Sequence, residues 1–438
     1  MISDVYFPRI NGVSTSIQSF RRELQRQGHQ VTLMVPDYGH HDADDAQLVR
    51  VAGWRLPFDP EDRLMRPRAL RRALDGLTRR FDLVHIQTPF AAHYAGLAYA
   101  RRQRLPVVAS YHTFFEEYLF HYIPLLPRRA LRWAARRFTR SQCNRVDALV
   151  VPSNAMLAVL RAYGVATPAA VIPTGIPALS AVTDDGEAFR ARHGLPSGRP
   201  TLIHVGRLAF EKNIDFLLRV VQQLTETVPE VLLVIAGEGP ARTALQRQSR
   251  ALGIEANVRF IGYLEREREL PHCYRCGDAF IFASRTETQG LVLLEAMAHG
   301  LPVVSTAVMG TRDIIEPQRG ALHAPEQVAG FSAQVARLLG DKRLRHRLAA
   351  EGIAFAAEWS LPQLGQRLAA WYRDSDDRYR GDGIGDKGGD EVADSGQRRS
   401  TGGHPIGVKR SDPGLPTSGG TAQGGMDSQA GARQPGKP

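Results

Sequence analysis

The chain has 438 residues, 43% of them hydrophobic and 8% aromatic, and a formal net charge of +11. That length suits two domains of ordinary size with packed cores, and the basic balance suits anionic partners: a sugar nucleotide, an acidic lipid surface or nucleic acid. No stretch approaches the roughly 18 apolar residues of a membrane-spanning helix, no leader peptide is expected at the start, and three cysteines make no disulfide framework, so a cytosolic setting is expected.

Met1-Ile2-Ser3-Asp4 reads as the end of a strand. Asn11-Gly12-Val13-Ser14 then starts a helix over Val13–Gln27, closed by Gly28. Gly12 at such a start lets backbone approach a phosphate closely. His40, His41, Asp42, Asp44 and Asp45 have the composition of a metal cluster, but no ligand spacing or helix orders them, and they read as a polar loop. Apolar runs at Gln30–Pro36, Asp82–Thr88, Pro106–His112, Asp147–Ser153 and Ala169–Thr174 alternate with amphipathic segments of helical length, the pattern of a parallel α/β sheet.

The segment from Tyr111 to Pro127 is dense in aromatics, and a basic run follows it. At helical spacing Arg128, Arg129, Arg132, Arg136, Arg137 and Arg140 share one half of the wheel, with Leu131, Ala134, Ala135 and Phe138 on the other. Trp133 sits among the arginines, as in helices that lie on a membrane surface. The alternative is a helix docked on the sheet with a solvated basic face.

A break follows through Pro177, Asp184-Asp185-Gly186 and Pro196–Pro200, and the alternation restarts at Thr201–Gly206, Val231–Gly237, Val258–Tyr263, Ala279–Ser284 and Pro302–Thr306. Two such halves imply a cleft, with ligands at the carboxyl ends of the strands. After the first strand of the second half, Arg207 and Lys212 stand five apart across a turn into a helix. Two fixed cations there can hold a diphosphate and stabilise it as a leaving group. Cys273 and Cys276 have C-x2-C spacing without a second pair and read as ordinary thiols. After Phe282 a polar loop carries Glu287, Gly290 opens a helix, and Glu295 lies inside it. The carboxylates accept from hydroxyl groups, as a sugar and a ribose require, and the free amides of the helix start can cradle a phosphate. Leu361–Tyr372 reads as a final amphipathic helix, and from Asp374 the composition is that of a disordered tail.

The motifs Gly206–Asn213 (G-R-L-x-x-E-K-N), Gly237–Pro240 (G-E-G-P) and the E-x7-E segment running into Glu295–Pro302 (E-A-M-A-x-G-x-P) resemble the retaining glycosyltransferases of family four. The resemblance covers about residues 1 to 373. It implies an α/β chain of GT-B fold, two Rossmann-like parallel-sheet domains facing a cleft. The expected bounds are 1–178 for the acceptor-side domain, 179–199 for a linker, 200–357 for the nucleotide-sugar domain, 358–373 for a helix crossing back and 374–438 for the tail. By motif, Arg207 and Lys212 would bind the donor diphosphate, Glu287 the transferred sugar and Glu295 the ribose. Gly12 would lie beneath the phosphates, and Gly206, Thr288, Gln289, Gly290 and Leu291 would line the donor. His112 matches the family's active-site histidine, so His112, Arg207, Lys212 and Glu287 form the expected catalytic set.

Two departures stand out. The family's first strand starts earlier, whereas only Met1–Ser3 precede Asp4 here, so either the natural start lies upstream or the sheet loses part of a strand. Many members carry Gly-Phe-Gly after the first glutamate, where this chain has Thr288-Gln289-Gly290. That form, and Tyr111-His112-Thr113, resemble members that glycosylate diacylglycerol-type lipids. The expectation is a hexosyltransferase using a UDP- or GDP-sugar without metal or other cofactor, Arg207 and Lys212 taking the metal's charge role. A membrane glycerolipid is the expected acceptor, an anionic membrane surface the partner of the basic helix, and the inner face of the membrane the location. No nucleic-acid motif is present, and the oligomeric state is left open. The competing readings are a soluble-acceptor transferase, a sugar-nucleotide epimerase of the same fold and a non-catalytic donor-binding protein.

Overall fold

The structure is a computed structural model that describes residues 1–9, 11–39, 45, 47–56, 59–112, 128–177 and 186–381. In the first half, β1 (Leu33–Pro36) and β2 (Leu48–Val51) pair in parallel. A hairpin, β3 (Gly53–Leu56) and β4 (Asp59–Met65), follows. Then β5 (Val84–Ile86), β6 (Val107–Ser110), β7 (Ala148–Val151) and β8 (Ala169–Val171) line up in that order, all parallel. Ile2 bridges to both Met34 and Ile86, and its amide donates to the His85 carbonyl at 2.9 Å. The three residues before Asp4 therefore serve as the strand that joins β1 to β5. The hairpin was not legible, because Asp59-Pro60-Glu61-Asp62 lacks the β-branched and aromatic residues that mark strands.

Four helices of this half matter for the site. Helix α1 (Gly12–Arg26) is capped by Asn11, whose Oδ1 accepts from the Ser14 amide at 2.8 Å, and the chain leaves it through Gly28 at φ +88°. Helices α2 (Ala91–Gln103), α3 (Arg128–Cys143) and α4 (Asn154–Ala162) follow β5, β6 and β7. Arg21 pairs with Asp45 at 2.6 Å; His40, His41, Asp42 and Asp44 lie outside the described residues.

The second half is one six-stranded parallel sheet, made of β9 (Thr201–Val205), β10 (Leu232–Ala236), β11 (Val258–Gly262), β12 (Ala279–Phe282), β13 (Val303–Ser305) and β14 (Ala321–His323). Its order is β11-β10-β9-β12-β13-β14. Every residue of β9, β10 and β12 is buried, as expected of strands covered on both faces. The order reverses between β9 and β12, and such a switch point opens the ligand crevice. The expected linker is partly domain: Phe189 is buried with Ile203 and Phe280, and the Arg190 guanidinium donates to Thr201 Oγ1 at 3.1 Å. The second half thus begins before residue 200, because an aromatic and a buried arginine there complete its core.

Helix α5 (Leu291–Ala298) follows β12, and helix α6 (Leu361–Gly381) returns to the first half. Ile176 bridges in parallel to Ser360 at the crossing, and Leu364, Leu368 and Ala369 are buried with Phe20, Leu24, Val108 and Val150. The helix runs on past residue 373, into what reads as tail. Its last turns are held by Ser375 Oγ donating to the Trp371 carbonyl at 2.6 Å, Arg378 over the Trp371 ring at 4.5 Å and an Arg380–Asp376 pair at 2.8 Å. Residues 382–438 lie outside the description.

Candidate active site

The turn after β9 is fixed by its neighbour. The Gly206 amide donates to the Ala236 carbonyl at 3.0 Å, and Gly237 sits at φ +138° with its α-carbon so close that a Cβ would fall 2.0 Å from the Gly206 oxygen. Only glycine fits there, which interlocks the G-R-L and G-E-G-P segments and leaves Arg207 exposed at the strand end. Asn213, at φ +58°, closes the next turn by donating to the Ala283 carbonyl and to Glu326, both at 3.2 Å. Lys212 Nζ then lies 2.6 Å from Glu287 Oε1, a pair with both side chains largely covered. Beneath it His204 stacks against Phe280 and Phe282, and burial lowers its pKa to about 4, so it adds no charge to the cations above.

Glu287 follows β12, the strand beside β9, so Arg207, Lys212 and Glu287 rise from the switch point itself. Its loop is backed by a strained turn: Ala307 and Met309 hold φ +51° and +54°, and the Gly310 amide donates to the Glu287 carbonyl at 2.9 Å. Gly290, at φ +93°, opens α5 with no side-chain cap, leaving first-turn amides for an anionic group. Leu291 packs its side chain on the core. The side chains of Thr288 and Gln289, expected at the donor, turn to the first half instead. Thr288 Oγ1 donates to the His112 carbonyl at 3.1 Å; Gln289 accepts from the Thr174 amide and donates to the Thr174 carbonyl, each at 2.8 Å. A buried carboxamide needs partners for both ends and finds them there, so any donor contact from these positions falls to backbone groups.

Glu295 is buried in α5 and accepts from the Tyr274 hydroxyl at 2.9 Å and from the Arg266 guanidinium. Arg266 also reaches Thr15 Oγ1, at 3.4 Å, in the first turn of α1. The start of α1 therefore faces Glu295 across the cleft, and at Gly12 an added Cβ would meet no atom within 4 Å.

His112, just after β6, heads a buried polar chain. Its Nε2 lies 2.9 Å from Gln87 Oε1, and Gln87 Nε2 lies 3.1 Å from His85 Nδ1. His85 Nδ1 is 2.6 Å from the Tyr372 hydroxyl, and its Nε2 2.8 Å from Ser110 Oγ. Burial lowers His112 to about 4 and His85 well below its ordinary value, so both rings are neutral at pH 7. With Gln87 Oε1 accepting from His112 Nε2–H, Nδ1 of His112 is left as an acceptor. Sequence reasoning missed Gln87, His85, Tyr372, Arg266 and Tyr274. A signal existed for two of them: His85 and Gln87 are polar residues in and beside a buried strand, which calls for partners.

On α3, Arg129, Arg132, Trp133, Arg136, Arg137 and Arg140 are exposed, Trp133 by 66%, while Leu131, Ala135 and Thr139 are buried. Ala134, expected inside, faces out because the sheet covers a narrower stripe than half the wheel; the Arg128 side chain and residues 113–127 lie outside the description. Arg137 lies 5.9 Å from the Trp133 ring centre and Arg136 5.3 Å from that of Tyr163, beside a groove of about 640 Å³. Cys276 Sγ donates to the Cys273 carbonyl at 3.1 Å, and among the described residues no group of His, Cys, Asp or Glu is placed to hold a metal. No described helix is long and apolar enough to cross a membrane.

Two family models match the chain: Glycosyltransferase Family 4 over residues 10–178 and Glycosyl transferases group 1 over residues 185–355. The alpha-monoglucosyldiacylglycerol synthase of Streptococcus pneumoniae (strain ATCC BAA-255 / R6) is 30% identical over 389 residues, covering 86% of this chain and 85% of that one. A GDP-mannose-dependent alpha-mannosyltransferase of Mycobacterium tuberculosis (strain CDC 1551 / Oshkosh) is 30% identical over 373 residues, covering 82% and 93%. Among solved structures, the sucrose-phosphate synthase of Thermosynechococcus elongatus superposes with a TM-score of 0.69 at 20% identity, covering 83% and 93%, a likeness of fold.

Proposed function

Because this chain belongs to glycosyltransferase family 4, we propose that it transfers a hexose from UDP-glucose or GDP-mannose, with retention at the anomeric carbon, to a hydroxyl of a membrane glycerolipid. The observation that carries this reading is the convergence of Lys212, Glu287 and His112: a 2.6 Å ion pair on one half, joined through the Thr288–His112 contact to a neutral imidazole on the other.

Lys212 and Glu287 neutralise each other. A bound nucleotide sugar separates their tasks: Lys212, with Arg207, takes the diphosphate, and Glu287 takes hydroxyls of the sugar. As the anomeric bond lengthens toward an oxocarbenium-like state, negative charge grows on the departing diphosphate, where two fixed cations stabilise it best and take the charge role of a metal. Glu295 can add a ribose hydroxyl to its present partners or exchange Arg266 for it, since a carboxylate offers about four lone-pair sites. His112, neutral, accepts from a sugar hydroxyl at Nδ1 and so orients it. The acceptor hydroxyl attacks the face that the diphosphate leaves and passes its proton to the departing diphosphate oxygen, so configuration is retained.

The glycerolipid acceptor is supported by the diacylglycerol synthase relative and by the basic aromatic face of α3. Each arginine near an anionic bilayer adds about 1 kcal/mol of attraction, and the exposed Trp133 would enter the headgroup layer. On this reading the enzyme is peripheral, on the inner face of the cell membrane.

The test pairs labelled UDP- and GDP-sugars with diacylglycerol in anionic or neutral vesicles and, separately, with soluble oligosaccharides. The expected product is an α-linked glycolipid, formed faster on anionic vesicles. Transfer to soluble acceptors alone would overturn the lipid assignment, and consumption of donor without any acceptor would favour an epimerase.

A further inference from the structure

Glu287 and His112 belong to different halves of the molecule, so a sugar held between them requires one fixed spacing across the cleft. The two residues after Glu287 both direct their side chains across that cleft. We propose that Thr288 and Gln289 are positioning residues: they dock the donor loop on the first half and thereby set Glu287 relative to His112. This rests on the reading of Glu287 and His112 as contacts of the transferred sugar.

Gln289 pairs with the amide and the carbonyl of one residue, Thr174, as a neighbouring strand would, at 2.8 Å each. It is buried, so turning away would leave two backbone groups and a carboxamide unpaired. Thr174 is itself anchored, its hydroxyl donating to Ser16 Oγ of α1 at 2.8 Å. Thr288 reads the backbone of His112 directly through that residue's carbonyl. From behind, Gly310 seats the loop so closely that a Cβ there would lie 2.0 Å from the Thr288 oxygen. The loop is thus held on both sides, and the hydroxyl and carboxamide supply the cleft-facing half of that hold.

The experiment uses the full chain with labelled donor and diacylglycerol vesicles, comparing Thr288→Val, Gln289→Leu and the double variant. Misplacing a sugar contact by about 1 Å costs on the order of 10- to 100-fold, so kcat should fall by that much while the donor KM stays within about threefold. The double variant should lose less than the product of the single losses, because both act on one docking. Hydrogen exchange at the Thr174 amide reports docking without any substrate: slow in the native chain, faster in Gln289→Leu. Unchanged kcat in both single variants, or a loss confined to donor KM, would overturn the proposal. Should Gln289→Leu fail to fold, the near-isosteric Thr288→Val decides alone. A native chain that glycosylates no lipid while Thr174 stays protected would sink the functional reading and leave the docking intact.

Discussion

Lys212 illustrates how little of a site residue's role is stability. Its pair with Glu287 is largely covered, so the cost of taking both charges out of water offsets much of their attraction and the net contribution is about 1 kcal/mol. Lys212→Ala is therefore expected to shift the thermal midpoint slightly while lowering turnover on the order of 100- to 1,000-fold, since its proposed role is to meet the leaving group's charge, which acts mainly in the transition state. Comparable losses in stability and turnover would instead make Lys212 a folding residue. Gln87 gives a test with a different readout. It offers His112 Nε2 a neutral oxygen at 2.9 Å, and burial lowers the imidazole to about 4. Gln87→Glu would place a carboxylate there, favour the imidazolium and raise that pKa. The acid limb of the kcat profile should move to higher pH; a profile that stays in place would show that His112 does not govern the limb.

At the scale of elements, the return of α6 ties the end of the described chain to the first half. It buries Leu364 and Leu368 against the sheet of the first half and brings Tyr372 to within 2.6 Å of His85, so a helix remote in sequence completes the hydrogen-bonded chain under His112. Gly175 permits the crossing: a Cβ there would fall 2.5 Å from the Leu361 α-carbon, and backbone cannot yield as a side chain can. Gly175→Ala is expected to cost about 1–3 kcal/mol in a denaturant titration and to speed hydrogen exchange along residues 361–381. A variant as stable as the native chain would mean that the crossing has slack. Helix α3 makes the complementary point. Its arginine stripe was readable from spacing, whereas how much of the opposite stripe is covered depended on the sheet beneath, which leaves Ala134 outside.

For the molecule as a whole, acid is the expected weakness. His93, His112, His204 and His299 are lowered to about 4 and His85 well below 6.5, each chiefly by burial. Their contribution to stability is present above pH 6.5 and is lost as pH falls toward 4, because the unfolded chain takes up protons that the folded one refuses. Asp4, raised to about 6 by burial, acts in the opposite sense, but it is one group against five. The thermal midpoint should therefore drop steadily from pH 7 to 5; a flat midpoint would show that these histidines can charge in place. The alternating apolar runs and the glycines at strand ends made the two parallel sheets legible, and the G-R-L-x-x-E-K-N and E-x7-E segments marked one side of the crevice, because periodicity and local turns are properties of short stretches of chain. Tertiary structure alone decided that Gln289 bonds Thr174, that Arg266 spans from Glu295 to Thr15 and that Tyr372 closes the chain beneath His112. Each of these joins residues far apart in sequence, and a buried polar group takes whichever partner the packing of distant elements brings within reach.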